Sequence, residues 1–542
     1  MPPKAVAYHS GNVYTVSSSQ PHAEAFIVGE DGSFLTIGSD AEVLAIAQRD
    51  GLATYNLDGA FVMPGIHDAH VHLLWAGMIS LSSRSLGMGV TSHDLPEKLK
   101  SCSCHCTGAY GDWIVGDTLA IEEFDREHLD KIYPDTPVAV RGAVGHSMLM
   151  NTAAMKKAGY DENEPDQSAH LYMRRPDGTL TGEVAENAQE KVFFSMPRPD
   201  PEHVKRAVMT SVRKLHECGV TSVQEASASK TELIALQQLD NAALLKMNVA
   251  AHIAVRPTWL HGEQEDIIAD TLEKAETYRT PHVATNFAKF ILDGVPISPI
   301  MTQAGLTSDG EVVKCKILAP DFLELARPLD RKGMTIKSHA TGVGSVRFCL
   351  DRYEQLRREN PNGPRHEVAH CNAVRDDDRS RFRRLDVTAE MSPANLFAVQ
   401  NIAIPDGLAD WNFANMLDVG AHVTIGTDLY DQPDADLFGP CMTVMESVLK
   451  SKMVRAESEQ ERKREAAGLI LRMLTLSGAE AVGREAFVGS IEVGKWANFV
   501  VVSKDLAKGE FEGARVMQTW FEGGCVFRRD TQNAREDAEA SA

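Results

Sequence analysis

No stretch of the 542 residues approaches the ~18–20 consecutive apolar residues that a membrane span needs, so no transmembrane role is expected. Positive charge is scarce as well: 55 Lys and Arg stand against 76 Asp and Glu, a net charge of −21. So acidic a surface repels phosphate backbones and anionic lipid, which argues against nucleic-acid and membrane-surface partners. The opening Met-Pro-Pro-Lys-Ala-Val-Ala has no apolar signal core, and no Asn-x-Ser/Thr sequon occurs anywhere. Cysteine is limited to nine, an odd number in a long chain. These absences point away from secretion and toward a reducing, cytoplasmic setting. There is no phosphate-binding glycine loop and no dinucleotide fingerprint. What remains, 43% hydrophobic and 24% charged residues, is ordinary for a soluble globular protein with a large core.

The two ends of the chain share a β texture. Ala5–Val16, Glu24–Val28 and Phe34–Ile37 read as short strands broken by turns, as do Asn498–Val502 and Arg515–Phe527. One small β domain built from both termini, residues 1–60 and 486–529, accounts for this pattern. Residues 530–542, polar and nearly free of apolar side chains, read as a disordered tail. The middle alternates apolar runs with amphipathic helices such as Glu202–Cys218, Val343–Glu359 and Asp376–Arg384. Eight candidate strands can be placed, at Phe61–Ile66, Val220–Gln224, Asn248–Ala254, Phe287–Leu292, Met334–Ser338, Glu367–Ala369, Val387–Glu390 and His422–Gly426. That count predicts an α/β fold with a (β/α)8 TIM barrel over 61–83 and 201–485. The gap between the first two strands is too long for one helix, so residues 84–200 read as an inserted subdomain with strands at Trp113–Gly116 and Val138–Val140.

The chemistry gathers at strand ends. Met63-Pro64-Gly65-Ile66-His67-Asp68-Ala69-His70-Val71-His72 ends the first strand, and residues two apart in a strand face the same way, so His70 and His72 can converge on one ion. An isolated His-x-His would mean little, but the pattern recurs. His339 closes the fifth strand, His370 the sixth and Asp428 the eighth. Barrel active sites lie at the C-terminal strand ends, so these five side chains predict a site for zinc or a similar divalent metal. Lys289 interrupts the apolar fourth strand, where burial favours a free amine. Such an amine can capture CO2 as a carbamate and bridge two metals; pairing with Asp293 or another carboxylate is the alternative. Cys102-Ser103-Cys104-His105-Cys106 lacks the paired spacing of a metal cluster and reads as loop cysteines. Cys371 reads as a packed thiol.

The order His-x-His, Lys, His, His, Asp resembles the metal-dependent amidohydrolase superfamily. The wording is most similar to its third branch, the YtcJ-like hydrolases and N-substituted formamide deformylases. Pro64–His72, Gly111–Gly116, Arg141–Ser147, Gly178–Glu186, Lys289–Gly294, His339–Gly342, His370, Gly426–Asp428 and Gly489–Asn498 carry the resemblance, over nearly the whole chain. It implies a β-sandwich-like domain from both termini beside the barrel, hydrolysis at a metal centre, a carbamylated Lys289 and a homodimer. It also draws attention to Glu183, as a rival metal bridge or a substrate contact, and to His146 as a substrate contact or a supporting histidine. Two departures fall near the expected pocket: Val295-Pro296 after Asp293-Gly294, and Gly426-Thr427-Asp428 where Gly-Ser-Asp is commoner.

The resulting expectation is a hydrolase of a small molecule's C–N bond, an amide or an N-acyl or N-formyl group. One or two metals would lower the pKa of a bound water from about 15.7 toward about 7, giving hydroxide at neutral pH. His339 and His370 would hold the second metal, and Asp428 would move the proton. A mononuclear deaminase of a cyclic amidine, a metal-dependent decarboxylase and a non-catalytic barrel remain as alternatives. Retention of the whole ligand ring argues against the last.

Overall fold

The computed structural model describes residues 5–87, 90–101, 109–118, 121–164, 171–298, 300–393, 411–429 and 437–529. The cysteine-rich run at 102–106 and the tail at 530–542 lie outside the described residues.

Eight parallel strands form the central sheet. They are β1 (Ile66–Val71), β2 (Val220–Ala228), β3 (Asn248–Arg256), β4 (Val283–Ile291), β5 (Thr335–Ala340), β6 (His366–His370), β7 (Val387–Met391) and β8 (His422–Ile425). They pair in that order, each with its sequence neighbour. The strands are buried along nearly their whole length, which fits a parallel sheet covered on both faces. Closure comes at the C-terminal ends, where Val71 and Leu429 form a parallel bridge and the Asp428 amide donates to the His70 carbonyl at 2.8 Å. The seam of the barrel therefore runs through the expected site.

One boundary differs from expectation. The strand read at Phe61–Ile66 divides at Gly65. Phe61–Pro64 pairs with Phe499–Val502 and Asn12–Tyr14 in a terminal sheet, and the barrel's first strand begins only at Ile66. A Cβ on Gly65 would lie 2.1 Å from Thr221 Oγ1, so the chain passes between the two sheets at a residue with no side chain.

The terminal region consists of two sheets. One holds Val6–His9, Ala25–Val28, Phe34–Gly38 and Ala53–Asn56; the other joins Asn12–Tyr14, His22–Ala23 and Phe61–Pro64 to three strands from the C-terminal end. Tyr8, Phe26 and Phe34 from the first sheet pack on Phe499 and Trp520 from the second, so both ends of the sequence are needed for this core. Between β1 and β2 the chain forms a further six-stranded sheet that includes Ile114–Asp117 and Val138–Gly142. Separate apolar clusters cover its two faces. Among the described residues no helix is long and apolar enough to cross a membrane.

Candidate metal centre

His70 is the middle of the site and is 1% exposed. Its Nδ1 lies 2.6 Å from Glu390 Oε2, a hydrogen bond to a carboxyl oxygen that puts the proton on Nδ1 and turns Nε2 inward. Nε2 then lies 3.6 Å from Asp428 Oδ1. His72 follows the end of β1, immediately before the helix Leu73–Ser82. Its Nδ1 meets Ser227 Oγ at 2.8 Å, and its Nε2 is 3.3 Å from the same Asp428 oxygen. Two ligands about 2.0–2.1 Å from one tetrahedral ion lie about 3.4 Å apart, so these separations suit a shared zinc-like cation. The donor set, two imidazoles and a carboxylate, suits it as well.

The ring continues to β6 and β5. The His370 ring is 4.6 Å from that of His70 and 4.5 Å from that of His339, centre to centre. His370 Nδ1 is held by Ser392 Oγ at 3.3 Å and lies 3.7 Å from Asp428 Oδ2. His339 Nε2 is 3.2 Å from the Gly294 carbonyl, which can only accept, so Nε2 carries the proton and Nδ1 is left to bind. His70, His370 and Glu390 also form a compact three-ligand group. The 2.6 Å His70–Glu390 contact is a hydrogen bond, however, so Glu390 acts on the ring of His70 rather than beside it at an ion. Ser392 and the His370 amide donate to the same carboxylate.

Burial and charge set the protonation states. Desolvation drives His70 and His339 well below the ordinary imidazole value and His370 to about 3, so all three present lone pairs. Burial opposes ionisation of Asp428, but His70, His72 and His370 outweigh it and hold the carboxyl well below its usual range. The backbone is left-handed at two of these residues, His370 with φ 74° and Asp428 with φ 53°. On the other side of the seam Gly426 leaves no room for a side chain, since a Cβ there would lie 2.6 Å from that of His70. Thr427, the departure noted in the sequence, donates through Oγ1 and its amide to the buried Asp68 at 2.6 and 2.9 Å.

Lys289 projects from β4 into this ring, 1% exposed, with Nζ 3.3 Å from His70 Nε2. Burial, then the charge of Lys337, brings its amine down to about 7. The alternative pairing with Asp293 does not form. That carboxylate is taken by the amides of Ala304, Thr341 and Gly342 and by Ser345 Oγ, at 2.7–3.0 Å.

Two further residues named from the sequence come from the insertion. The His146 ring lies 5.2 Å from that of His339, centre to centre and tilted by 39°, and its Nδ1 is 3.0 Å from Glu186 Oε2. Burial pulls that imidazole down, but Glu186 outweighs it and the net shift is upward. Glu183 sits in the strand Leu180–Ala185 opposite Leu149; burial pushes its carboxyl up to about 7, and Ser147 hydrogen-bonds it. Glu186, three residues later, is a carboxylate that the insertion brings beside the ring through His146. Sequence reasoning missed Glu186 and Glu390. Glu390's signal was its place at the end of a predicted strand; Glu186 had none beyond the segment it shares with Glu183.

Comparison with known proteins gives a consistent picture. The family model described as "Amidohydrolase family" matches residues 53–527. An N-substituted formamide deformylase of Arthrobacter pascens is 23% identical, over 96% of this chain and 98% of its own. The putative amidohydrolase YtcJ of Bacillus subtilis is 21% identical, over 92% and 94%. Among solved structures, an uncharacterized metal-dependent hydrolase from Pyrococcus horikoshii is similar in fold, with a TM-score of 0.68 at 20% identity, over 94% of this chain and 99% of the other.

Proposed function

The chain belongs to the amidohydrolase family, and from that premise we propose that it hydrolyses the C–N bond of a small N-acyl or N-formyl amine at the centre formed by His70, His72, Lys289, His339, His370 and Asp428. The observation that carries the reading is the convergence of His70 and His72 on one oxygen of Asp428, at 3.6 and 3.3 Å, across the barrel seam. When bound there, a divalent metal, zinc by its ligand set, would polarise the substrate carbonyl and make a water acidic enough to ionise near neutral pH.

The remaining work falls to side chains. Asp428, ionised at neutral pH, takes the proton of the attacking water and delivers it to the leaving nitrogen. His146, with Nδ1 committed to Glu186, offers Nε2 to a substrate oxygen. Glu390 and Ser227 fix the ring orientations of His70 and His72. Lys289 decides the number of metals. Its neutral amine would attack CO2: the N–C bond forms as one C–O π pair moves onto oxygen, the amine's N–H proton leaves to solvent, and the neutral amine becomes an anionic carbamate able to serve as a metal ligand. No carboxylate pairs with Lys289 among the described residues, which supports that role over a structural ion pair.

The test is a screen of N-formyl and N-acyl amines with metal-loaded protein, for amine release, followed by Lys289→Ala. The expected result is hydrolysis that chelation abolishes and zinc restores. Lys289→Ala should lose metal and activity together and regain part of both with a small carboxylic acid in excess. Full activity in chelated protein would sink the hydrolase reading. A fully active one-metal enzyme with an unmodified Lys289 would remove only the carbamate.

A further inference from the structure

One layer below the histidine ring, the barrel holds a second buried lysine that the chemistry above does not use. Lys337 lies two residues before His339 and, like it, faces the interior. It is the Cα partner of Lys289 across β4 and β5 and of Glu367 across β5 and β6, so the three stand in one row. All are buried, at 1% exposure for Lys289 and 0% for Lys337 and Glu367.

Both lysines reach across the barrel to β1. Lys289 meets the His70 ring, and Lys337 donates to the Ala69 carbonyl at 2.5 Å, on the residue before His70. Glu367 balances the charge, 3.6 Å from Lys337 Nζ through Oε2 and 3.4 Å from His252 Nε2 through Oε1. Barrel interiors are ordinarily filled by layers of branched apolar side chains, and a buried ion pair is often no better than such packing. An ion pair kept at this height therefore needs a reason other than stability. Its contacts supply one. The bond to Ala69 fixes the height of β1, and with it His70, against the strands that carry Lys289 and His339.

We infer that Lys337 is a positioning residue for the metal centre, anchoring the strand that carries His70. The inference rests on the metal reading of the histidine ring. Its test compares the full-length wild type, Lys337→Met and the double variant Lys337→Met/Glu367→Met by two readouts: zinc affinity in chelator competition, and the unfolding midpoint of the metal-free protein. Lys337→Met should bind zinc roughly 10–100-fold more weakly, the loss typical when a group supporting a metal ligand is removed. The double variant, left with no unpaired carboxylate, should regain the unfolding midpoint but not the affinity. It carries the reading if the single variant does not fold.

Recovery of both properties in the double variant would reduce Lys337 to a counter-ion and overturn the inference. So would wild-type affinity in Lys337→Met, or affinity and stability falling together in both variants. A wild type that holds no zinc would instead overturn the metal centre itself.

Discussion

At the scale of single residues, the candidate site depends on groups that stand behind the histidine ring. Glu390 accepts from His70 Nδ1, Ser392 Oγ and the His370 amide, and so sets two ligands at once. Glu390→Gln keeps the shape but loses the charge that holds the His70 proton on Nδ1. Metal affinity should fall roughly 10–100-fold, read by chelator competition, while the circular dichroism spectrum stays unchanged. An unchanged affinity would mean that Glu390 is only packing. The convergence of His70, His72, His339, His370 and Asp428 was legible in the sequence because four strands end in His or Asp, and barrel geometry makes strand ends neighbours. Glu390 was not, since among 76 acidic residues a strand-end glutamate carries no mark of its partner. Glu186 was hidden for a similar reason. Its contact with His146 depends on how the insertion folds back, which no local pattern records.

At the scale of elements, the helix Leu73–Ser82 shows how a ligand is held by borrowed groups. It opens on Leu-Leu with no cap of its own, directly after His72. Its first amides donate instead to Glu225, 2.5 Å from Leu73 N, and to Glu232, 3.2 Å from Leu74 N. Glu225 also receives the amide of Ser227, whose hydroxyl orients His72. Both carboxyls are buried; burial, then the charge of Glu225, pushes Glu232 well above its ordinary 4.5. A raised carboxyl contributes stability that is fully present below the unfolded value and is lost as pH rises through the folded one. Glu232→Gln mimics the protonated form. Its unfolding midpoint should match the wild type near pH 4 and exceed it increasingly above that, and a variant less stable than wild type at pH 8 would contradict the raised carboxyl. Elements were unevenly legible. The barrel helices Val343–Glu359 and Asp376–Arg384 stand where their periodicity put them. Helix Asp40–Asp50 was missed inside a strand-rich region, although Ser39 and Glu42 form a capping box that announces it. The strand at Phe61 was misjudged because one apolar run serves two sheets, and only the close approach of Thr221 to Gly65 divides it.

At the scale of the whole molecule, His282 pins the barrel to the terminal sheets. Its Nδ1 lies 2.6 Å from Asp240 on the barrel side, and its Nε2 lies 2.9 Å from Glu522 in the C-terminal hairpin. Burial lowers this imidazole, but the two carboxylates outweigh it and raise it overall. The charged form therefore stabilises the fold at pH values below the ordinary 6.5, and the contribution fades as pH rises through the folded value. His282→Gln should cost about 1 kcal/mol at pH 6, with partial exposure discounted, and progressively less by pH 9. A pH-independent difference in urea unfolding would contradict the charged pin. The union of both termini in one β core was legible from their shared strand and turn texture. The pin was not, because it joins residues 240 positions apart.

The claim that organises the rest is that His70, His72, Lys289, His339, His370 and Asp428 together hold metal. Anomalous X-ray scattering at the zinc edge, from crystals of the zinc-loaded full chain, tests it most directly. The account predicts a peak bounded by His70 Nε2, His72 Nε2 and Asp428 Oδ1, with a second beside His339 and His370 when Lys289 is carbamylated. A zinc-loaded crystal with no peak inside the histidine ring would contradict it.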